Sequence, residues 1–277
     1  HVALGIAYGN LGRVSDAIAS YRCALRIEPN RAEVHHHLAN ILMQNGRFHE
    51  AIDSYKRILT LLPNDAAAHF HLGTAQHAIE QYDEALLSFR KAIGIQPDYA
   101  EAHSSLGELL HAVGRLDDAV VSFQRALALR PDWLEVHGNL GNVLKDSRRL
   151  DEAVASYRQV LSFNPDDAKA HHNLGSTLSD LGQIEAAIDS YRCAIEIAPE
   201  FEVARSGLLF SYNYLAEQSA PFLHLEARKY GEIVAKRAGP SLETWQTTLK
   251  AGRRLRVGFV SGDLRDHSVG HFIEGVL

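Results

Sequence analysis

The chain has 277 residues, 46% of them apolar, with 28 basic and 34 acidic side chains giving a net charge of −6. That balance fits one large or two modest folded domains and provides no overall positive field to draw nucleic acid. No apolar run approaches the ~18 residues that a membrane-spanning helix needs. Residue 1 is His rather than Met and falls where a helical pattern is already under way, so the chain reads as cut from a longer one at its start.

Pro29, Pro63, Pro97, Pro131, Pro165 and Pro199 stand 34 residues apart, which makes residues 1–201 one unit repeated. Within each unit a Leu (Leu4, Leu38, Leu72, Leu106, Leu140, Leu174) precedes Gly or Ala. An invariant Ala follows (Ala17, Ala51, Ala85, Ala119, Ala153, Ala187), then an aromatic (Tyr21, Tyr55, Phe89, Phe123, Tyr157, Tyr191). In the unit from Ala100 to Pro131, apolar positions recur at three and four residues in two stretches broken by Gly114 and Arg115, which predicts a helical hairpin. Gly107 and Ala119 remove bulk where the two axes cross and Phe123 fills the space beside them, while Pro131 ends the second helix. The pattern resembles the tetratricopeptide repeat. One hairpin cannot bury its apolar face alone, so six are expected to stack into a superhelix with an inner groove.

Two residue types invite other readings. Among sixteen histidines, His1, His35, His69, His103, His137 and His171 keep the 34-residue frame. That periodicity assigns them to half-buried packing, since a structural zinc site wants four converging ligands and adjacent histidines on a helix diverge. No metal site is expected. Cys23 and Cys193 share one position in the first and sixth units, beyond disulfide reach, and read as small apolar fillers in a reducing or periplasm-indifferent setting.

The inner face is the more informative surface. Two positions before the Gly/Ala of each first helix stand Ala3, His37, His71, Ser105, Asn139 and Asn173. An Asn amide donates and accepts at once, so Asn139 and Asn173, extended by His37, His71 and Ser105, form a candidate acceptor-peptide groove that holds a backbone without reading side chains. The alternative is incidental groove polarity. A carboxylate clamp of the chaperone-binding kind needs paired Lys and Asn. The Lys position carries Val2, His36, Phe70, Ser104, Gly138 and His172 instead, so no clamp can be assembled.

After Pro199 the period fades. Glu200–Gln218 reads as a helix whose Leu208, Leu209 and Phe210 cap the last hairpin. Phe222–Arg237 reads as another, with Leu223, Ala227, Tyr230, Ile233 and Val234 along one side. These fall in a connector over residues 202–252. Over residues 253–277 the pattern changes kind: Leu255, Val257, Phe259 and Val260 form an apolar run closed by Ser261, Gly262 and Asp263. The first strand of a parallel α/β sheet reads in this way, with ligands gathering at the loop Ser261–Ser268. The fold class is therefore an all-α superhelix followed by the start of an α/β domain.

The segment Leu208-Leu209-Phe210-Ser211-Tyr212-Asn213-Tyr214, then Glu226-Ala227-Arg228-Lys229-Tyr230-Gly231, then Leu255 through Phe272 resemble the O-linked N-acetylglucosamine transferases and their SPINDLY-like relatives, bacterial members above all. The resemblance implies that 253–277 opens a GT-B, two-Rossmann glycosyltransferase domain whose repeats feed acceptor proteins to an inverting transfer onto Ser or Thr. It implies a nucleotide-sugar donor, UDP-N-acetylglucosamine or, as in some relatives, a fucose donor, held mostly by a second Rossmann half of which this chain has no residue, so the donor cannot be read here and the chain alone is expected to be inactive. His267 and His271 match the histidines of the family's Asp-x-x-x-His-x-x-x-His loop, led by Asp263. His267 then acts as a base or only orders the loop; Asp263 braces the turn. The resemblance to bacterial members places the protein in the cytoplasm, with no membrane or nucleic-acid partner. A non-catalytic scaffold that organises protein complexes is the rival reading.

Overall fold

The computed structural model describes residues 1–215 and 220–238, and among these it forms fourteen α-helices. Twelve pair into six hairpins, each with a first (A) and a second (B) helix: α1 (Val2–Asn10) with α2 (Val14–Ile27), α3 (Ala32–Gln44) with α4 (Phe48–Leu61), α5 (Ala66–Ala78) with α6 (Tyr82–Ile95), α7 (Ala100–Ala112) with α8 (Leu116–Leu129), α9 (Leu134–Asp146) with α10 (Leu150–Phe163), and α11 (Ala168–Asp180) with α12 (Ile184–Ile197). Two further helices follow, α13 (Glu202–Tyr212) and α14 (Ala220–Ala238). The chain divides into two units, His1–Val234 and Ala235–Leu277; only the last turn of α14 represents the second among the described residues. The apolar run Leu255–Val260, the loop after it, and Asp263, His267 and His271 lie outside the described residues.

Each hairpin is set by a close approach of an aromatic ring to a backbone. A Cβ placed on Gly107 would lie 2.9 Å from the Phe123 ring, and one on Gly141 would lie 2.6 Å from the Tyr157 ring. Phe89, Phe123 and Tyr157 are buried, as is the invariant Ala of the same B helix. The A helix therefore settles directly on the aromatic, as the residue spacing implied.

The turn between A and B helices uses one left-handed residue per repeat. Gly12, Gly46, Gly114 and Gly182 take it at φ near +70 to +76°, but Glu80 (φ 62°) and Arg148 (φ 60°) hold the same position in the third and fifth repeats. In the fourth repeat the Gly114 N–H donates to the His111 carbonyl and the Arg115 N–H to the Leu110 carbonyl, which closes the end of α7.

A second bond pattern fixes the join between repeats. His35, His69, His103, His137 and His171 each place Nε2 2.9–3.1 Å from the carbonyl oxygen of the proline six residues earlier. A carbonyl only accepts, so the imidazole N–H donates. Arg205 takes over the role at Pro199. The histidines that keep the 34-residue frame are thus clasps that tie each B-to-A loop to the next A helix. Among the described residues no three His, Cys, Asp or Glu side chains gather in a way that could hold a metal ion.

Successive A helices touch one another (α5 with α7, α7 with α9, α9 with α11), whereas B helices do not approach each other to that extent. The stack therefore curves with A helices inside. At its end α13 packs on α11 and α12 through Ala204, Leu208 and Tyr212. Leu208 caps the stack as expected. Phe210 does not: it lies on the opposite side of the helix, is 54% exposed, and meets the Tyr214 ring edge-on at 5.3 Å. In α14, Leu223, Tyr230 and Ile233 are half-buried while Ala227 is exposed.

Two substitutions test this account with opposite signs. Arg148→Gly is expected to raise stability by up to about 1 kcal/mol, because it relieves ~1–2 kcal/mol of left-handed strain and adds less unfolded-state entropy. Gly141→Ala is expected to cost about 1–3 kcal/mol by driving a methyl into the Tyr157 ring. Urea or thermal midpoints read both, and equal midpoints for the two variants would sink the packing argument.

Candidate functional site

The A helices line the inner face, and two open cavities lie along it. One, of about 480 Å³, is built from α9, α10 and α11 and is lined by Asn139, Asn142, Tyr157, Lys169 and Asn173 among others. The other, of about 590 Å³, lies four repeats earlier, between α1, α2 and α3, and is lined by Tyr21, His37, Asn40, Gln44 and Asn45. Asn139 and Asn173 thus share one cavity, while His37 belongs to the other.

In the C-terminal cavity the amides form a lateral ladder across the repeats. Asn173 Nδ2 donates to Asn142 Oδ1 at 3.1 Å, the Tyr157 hydroxyl donates to the same oxygen at 2.7 Å, and Asn139 Nδ2 donates to Glu108 Oε1 at 3.2 Å. These bonds hold the side chains still and leave Asn142 Nδ2 as a donor and Asn139 Oδ1 and Asn173 Oδ1 as acceptors with no partner among the described residues. An extended peptide backbone presents the complementary alternation of carbonyls and N–H groups. Beyond the ladder, Lys145 Nζ reaches Ser176 Oγ at 2.5 Å and Asp180 at 3.5 Å, and His111 bonds Asp146 at 2.7 Å, so α7 is tied to α9 and α9 to α11 along the groove edge.

The N-terminal half offers flat rings. His37 stacks on Tyr21 with centroids 5.7 Å apart and planes 9° from parallel, and His71 stacks on Tyr55 at 5.8 Å and 19°. Phe70, at the position where a carboxylate clamp would carry Lys, instead packs against Tyr99 at 5.0 Å and Phe89 at 5.9 Å. Burial, and then the neighbouring His36, push the His71 pKa down, against a weaker opposite pull from Asp65. Burial pushes the Tyr55 and Tyr157 hydroxyls up, so both stay protonated donors. Ser105 lies half-buried in the central A helix α7.

Asn40 and Asn142, three residues after His37 and Asn139, escaped the sequence reading. An i, i+3 pair shares a helix face, and that recurrence was the signal available. The Tyr157 hydroxyl was also missed, because the ring was assigned to packing alone.

Comparison with known proteins agrees with the architecture. Profiles described as tetratricopeptide repeat match residues 2–66, 36–100, 78–143 and 168–201, and one described as TPR repeat matches residues 141–182. No curated protein matches the sequence. Among solved structures, YrrB, a TPR protein with an unusual peptide-binding site, is 26% identical, with a TM-score of 0.60 over 66% of this chain and 95% of its own. MamA is 26% identical, with a TM-score of 0.57 over 60% of this chain and 97% of its own. PilF of Pseudomonas aeruginosa, at 18% identity and a TM-score of 0.61 over 74% and 93%, shares the fold.

Glu108 provides a pH test of the ladder. Burial, and then the charge of Glu135, raise its pKa, against hydrogen bonds from Ser104 and Asn139. A raised carboxyl pKa means the native state holds the proton more tightly, so the stabilisation is complete below the unfolded value and is lost as pH rises through the folded one. Glu108→Gln is expected to remove that loss: relative to the variant, the wild-type protein becomes less stable as pH rises from the ordinary carboxylate range upward. Parallel pH dependence of the two melting midpoints would contradict the assignment.

The repeat runs without a break from the first hairpin to the last, and the chain belongs to the tetratricopeptide repeat family.

Proposed function

We propose that the inner face binds an extended segment of a partner protein, gripping its backbone at Asn139, Asn142 and Asn173. The supporting observation is the amide ladder, which immobilises three side chains yet leaves donors and acceptors open in one cavity. Because such bonds go to backbone groups, affinity should vary little with ligand sequence. Replacing Asn139 and Asn173 together by Ala is expected to weaken binding of a panel of labelled, unstructured peptides by roughly fivefold or more for every member. Fluorescence anisotropy measures this; unchanged affinity across the panel, or loss confined to one peptide, would refute the backbone grip.

A second reading rests on the segment Asp263–His271, whose residues resemble the active-site loop of protein O-glycosyltransferases. In that reading the groove presents acceptor segments to a catalytic domain that transfers N-acetylglucosamine from a nucleotide donor to Ser or Thr, with His267 beside the acceptor hydroxyl as its base. Here the inner face recruits and does not react. In the natural protein containing this chain, His267→Ala is expected to lower sugar incorporation by about a hundredfold and to leave peptide binding by the groove untouched. Incorporation at the wild-type rate would exclude His267 as the base.

A further inference from the structure

Phe210 fails to cap the stack because it belongs to the inner face. Arg205 keeps the clasp at Pro199, so the 34-residue frame carries through into α13. In that frame Val203, Gly207, Phe210 and Tyr214 stand where α9 carries Glu135, Asn139, Asn142 and Asp146 and where α11 carries Lys169, Asn173, Ser176 and Asp180. Steps of four, three and four residues keep all four on one stripe of the helix. The inner face therefore turns from polar to apolar one helix beyond Asn173.

The apolar end is open. Val203 and Phe210 are each 54% exposed and Tyr214 is 61% exposed. Gly207 places no side chain between Val203 and Phe210, and the Tyr191 ring comes up against its backbone, where a Cβ would lie 2.6 Å from the ring. The result is a shallow notch walled by Val203 and Phe210 and floored by an aromatic. On the side toward Asn173, the His172 ring leans on Tyr191 at 5.7 Å and on Phe201 at 5.3 Å. Burial, and then the Lys145 charge, lower the His172 pKa, so that ring is neutral at pH 7. Lys145 and Asp180, at the groove edge, pair with each other.

We propose that this notch anchors the ligand of the inner groove, taking one bulky apolar side chain, aromatic or leucine, from the same extended segment that the amides hold. The inference rests on the backbone grip at Asn139, Asn142 and Asn173 and adds a single side-chain preference to it. Continuity of the face argues for this occupant. Helix α13 packs directly on α11, so a chain that leaves Asn173 along the inner face next meets Val203 and Phe210. Packed helices lie about 10 Å apart, a gap that an extended chain crosses in about three residues at ~3.3 Å each. The anchoring side chain therefore stands about three residues from the one whose backbone is held at Asn173.

The test uses the whole chain and fluorescein-labelled peptides of about twelve neutral polar residues, long enough to span roughly 40 Å when extended. One peptide is polar throughout, and in the others a single Phe moves along the sequence. At its best register the Phe is expected to tighten binding about tenfold over the polar peptide, read by anisotropy. Phe210→Ser with Tyr214→Ser is expected to cut that gain to about twofold or less, and Phe210→Gln alone to about threefold. Asn139→Ala with Asn173→Ala is expected to weaken both kinds of peptide by one factor and to preserve the gain. A gain that survives the Phe210 and Tyr214 double variant overturns the proposal, as does a gain spread evenly over every position of the Phe. Absence of any gain, with the double Asn variant still weakening the polar peptide, overturns the anchor and leaves the backbone grip standing. No binding by any peptide overturns both. A dimer in light scattering that the Phe210 and Tyr214 double variant dissolves assigns the notch to a second copy of the chain and likewise overturns the proposal.

Discussion

The structure depends on one contact made six times: an aromatic ring on the B helix seated against the A helix where a side chain is nearly or wholly missing. With Gly at five of the six A-helix positions and Ala39 at the other, the ring lies on the backbone itself. That distance sets the hairpin angle, and repetition at a constant angle gives the curvature that puts the A helices inside. The same ring also reaches the functional face. The Tyr55 hydroxyl bonds Asn40 at 3.1 Å and the Tyr157 hydroxyl bonds Asn142 at 2.7 Å, so a packing residue orients a groove amide. Where the ring is Phe89 or Phe123 there is no hydroxyl, and the matching groove residues are Thr74 and Glu108 rather than Asn. Core and groove are therefore coupled in these two repeats, whereas in the first Tyr21 is matched with Ile6.

The proline-histidine clasp does a complementary job between hairpins. Proline stops the B helix because it has no N–H to continue the ladder, and its carbonyl is then free to take the imidazole N–H six residues on. The loop is thus closed by a side chain instead of being left to solvent. The clasp recurs from the Pro29–His35 pair to the Pro165–His171 pair, and Arg205 replaces the histidine where the stack ends. One ring nitrogen of each of these five histidines is thereby committed as a donor to a carbonyl.

The hairpins were legible in the sequence because their determinants are local and periodic: the Ala and aromatic of each B helix and the proline after it recur at one fixed interval. Asn139 and Asn173 were legible as groove residues for the same reason. Asn40 and Asn142 were not, because their position varies in type from Ile6 to Asn40 to Thr74 to Glu108, and the ring hydroxyl that holds each amide comes from another helix. The clasp was assigned to packing, because a bond from a helix back to a loop six residues earlier follows no helical period. Phe210 was assigned to the cap from its place in an apolar run, yet Ala204, Leu208 and Tyr212 define the buried face and Phe210 lies off it.

Repetition separates the positions that build from those that recognise. Each repeat touches mainly its neighbours, so a substitution at one position perturbs two interfaces and no more. The B-helix Ala, the aromatic and the terminal proline barely change along the chain, since every hairpin needs them. The positions of His37 and Asn40 on the inner face, and of Lys56 and Lys91 on the outer face, change from repeat to repeat while the hairpin geometry stays the same. Inner and outer surfaces can therefore differ in chemistry without conflict: amides and stacked rings on one side, charges of both signs beside aliphatic groups on the other. The two faces can vary independently, because the helices that separate them are held by contacts neither face supplies.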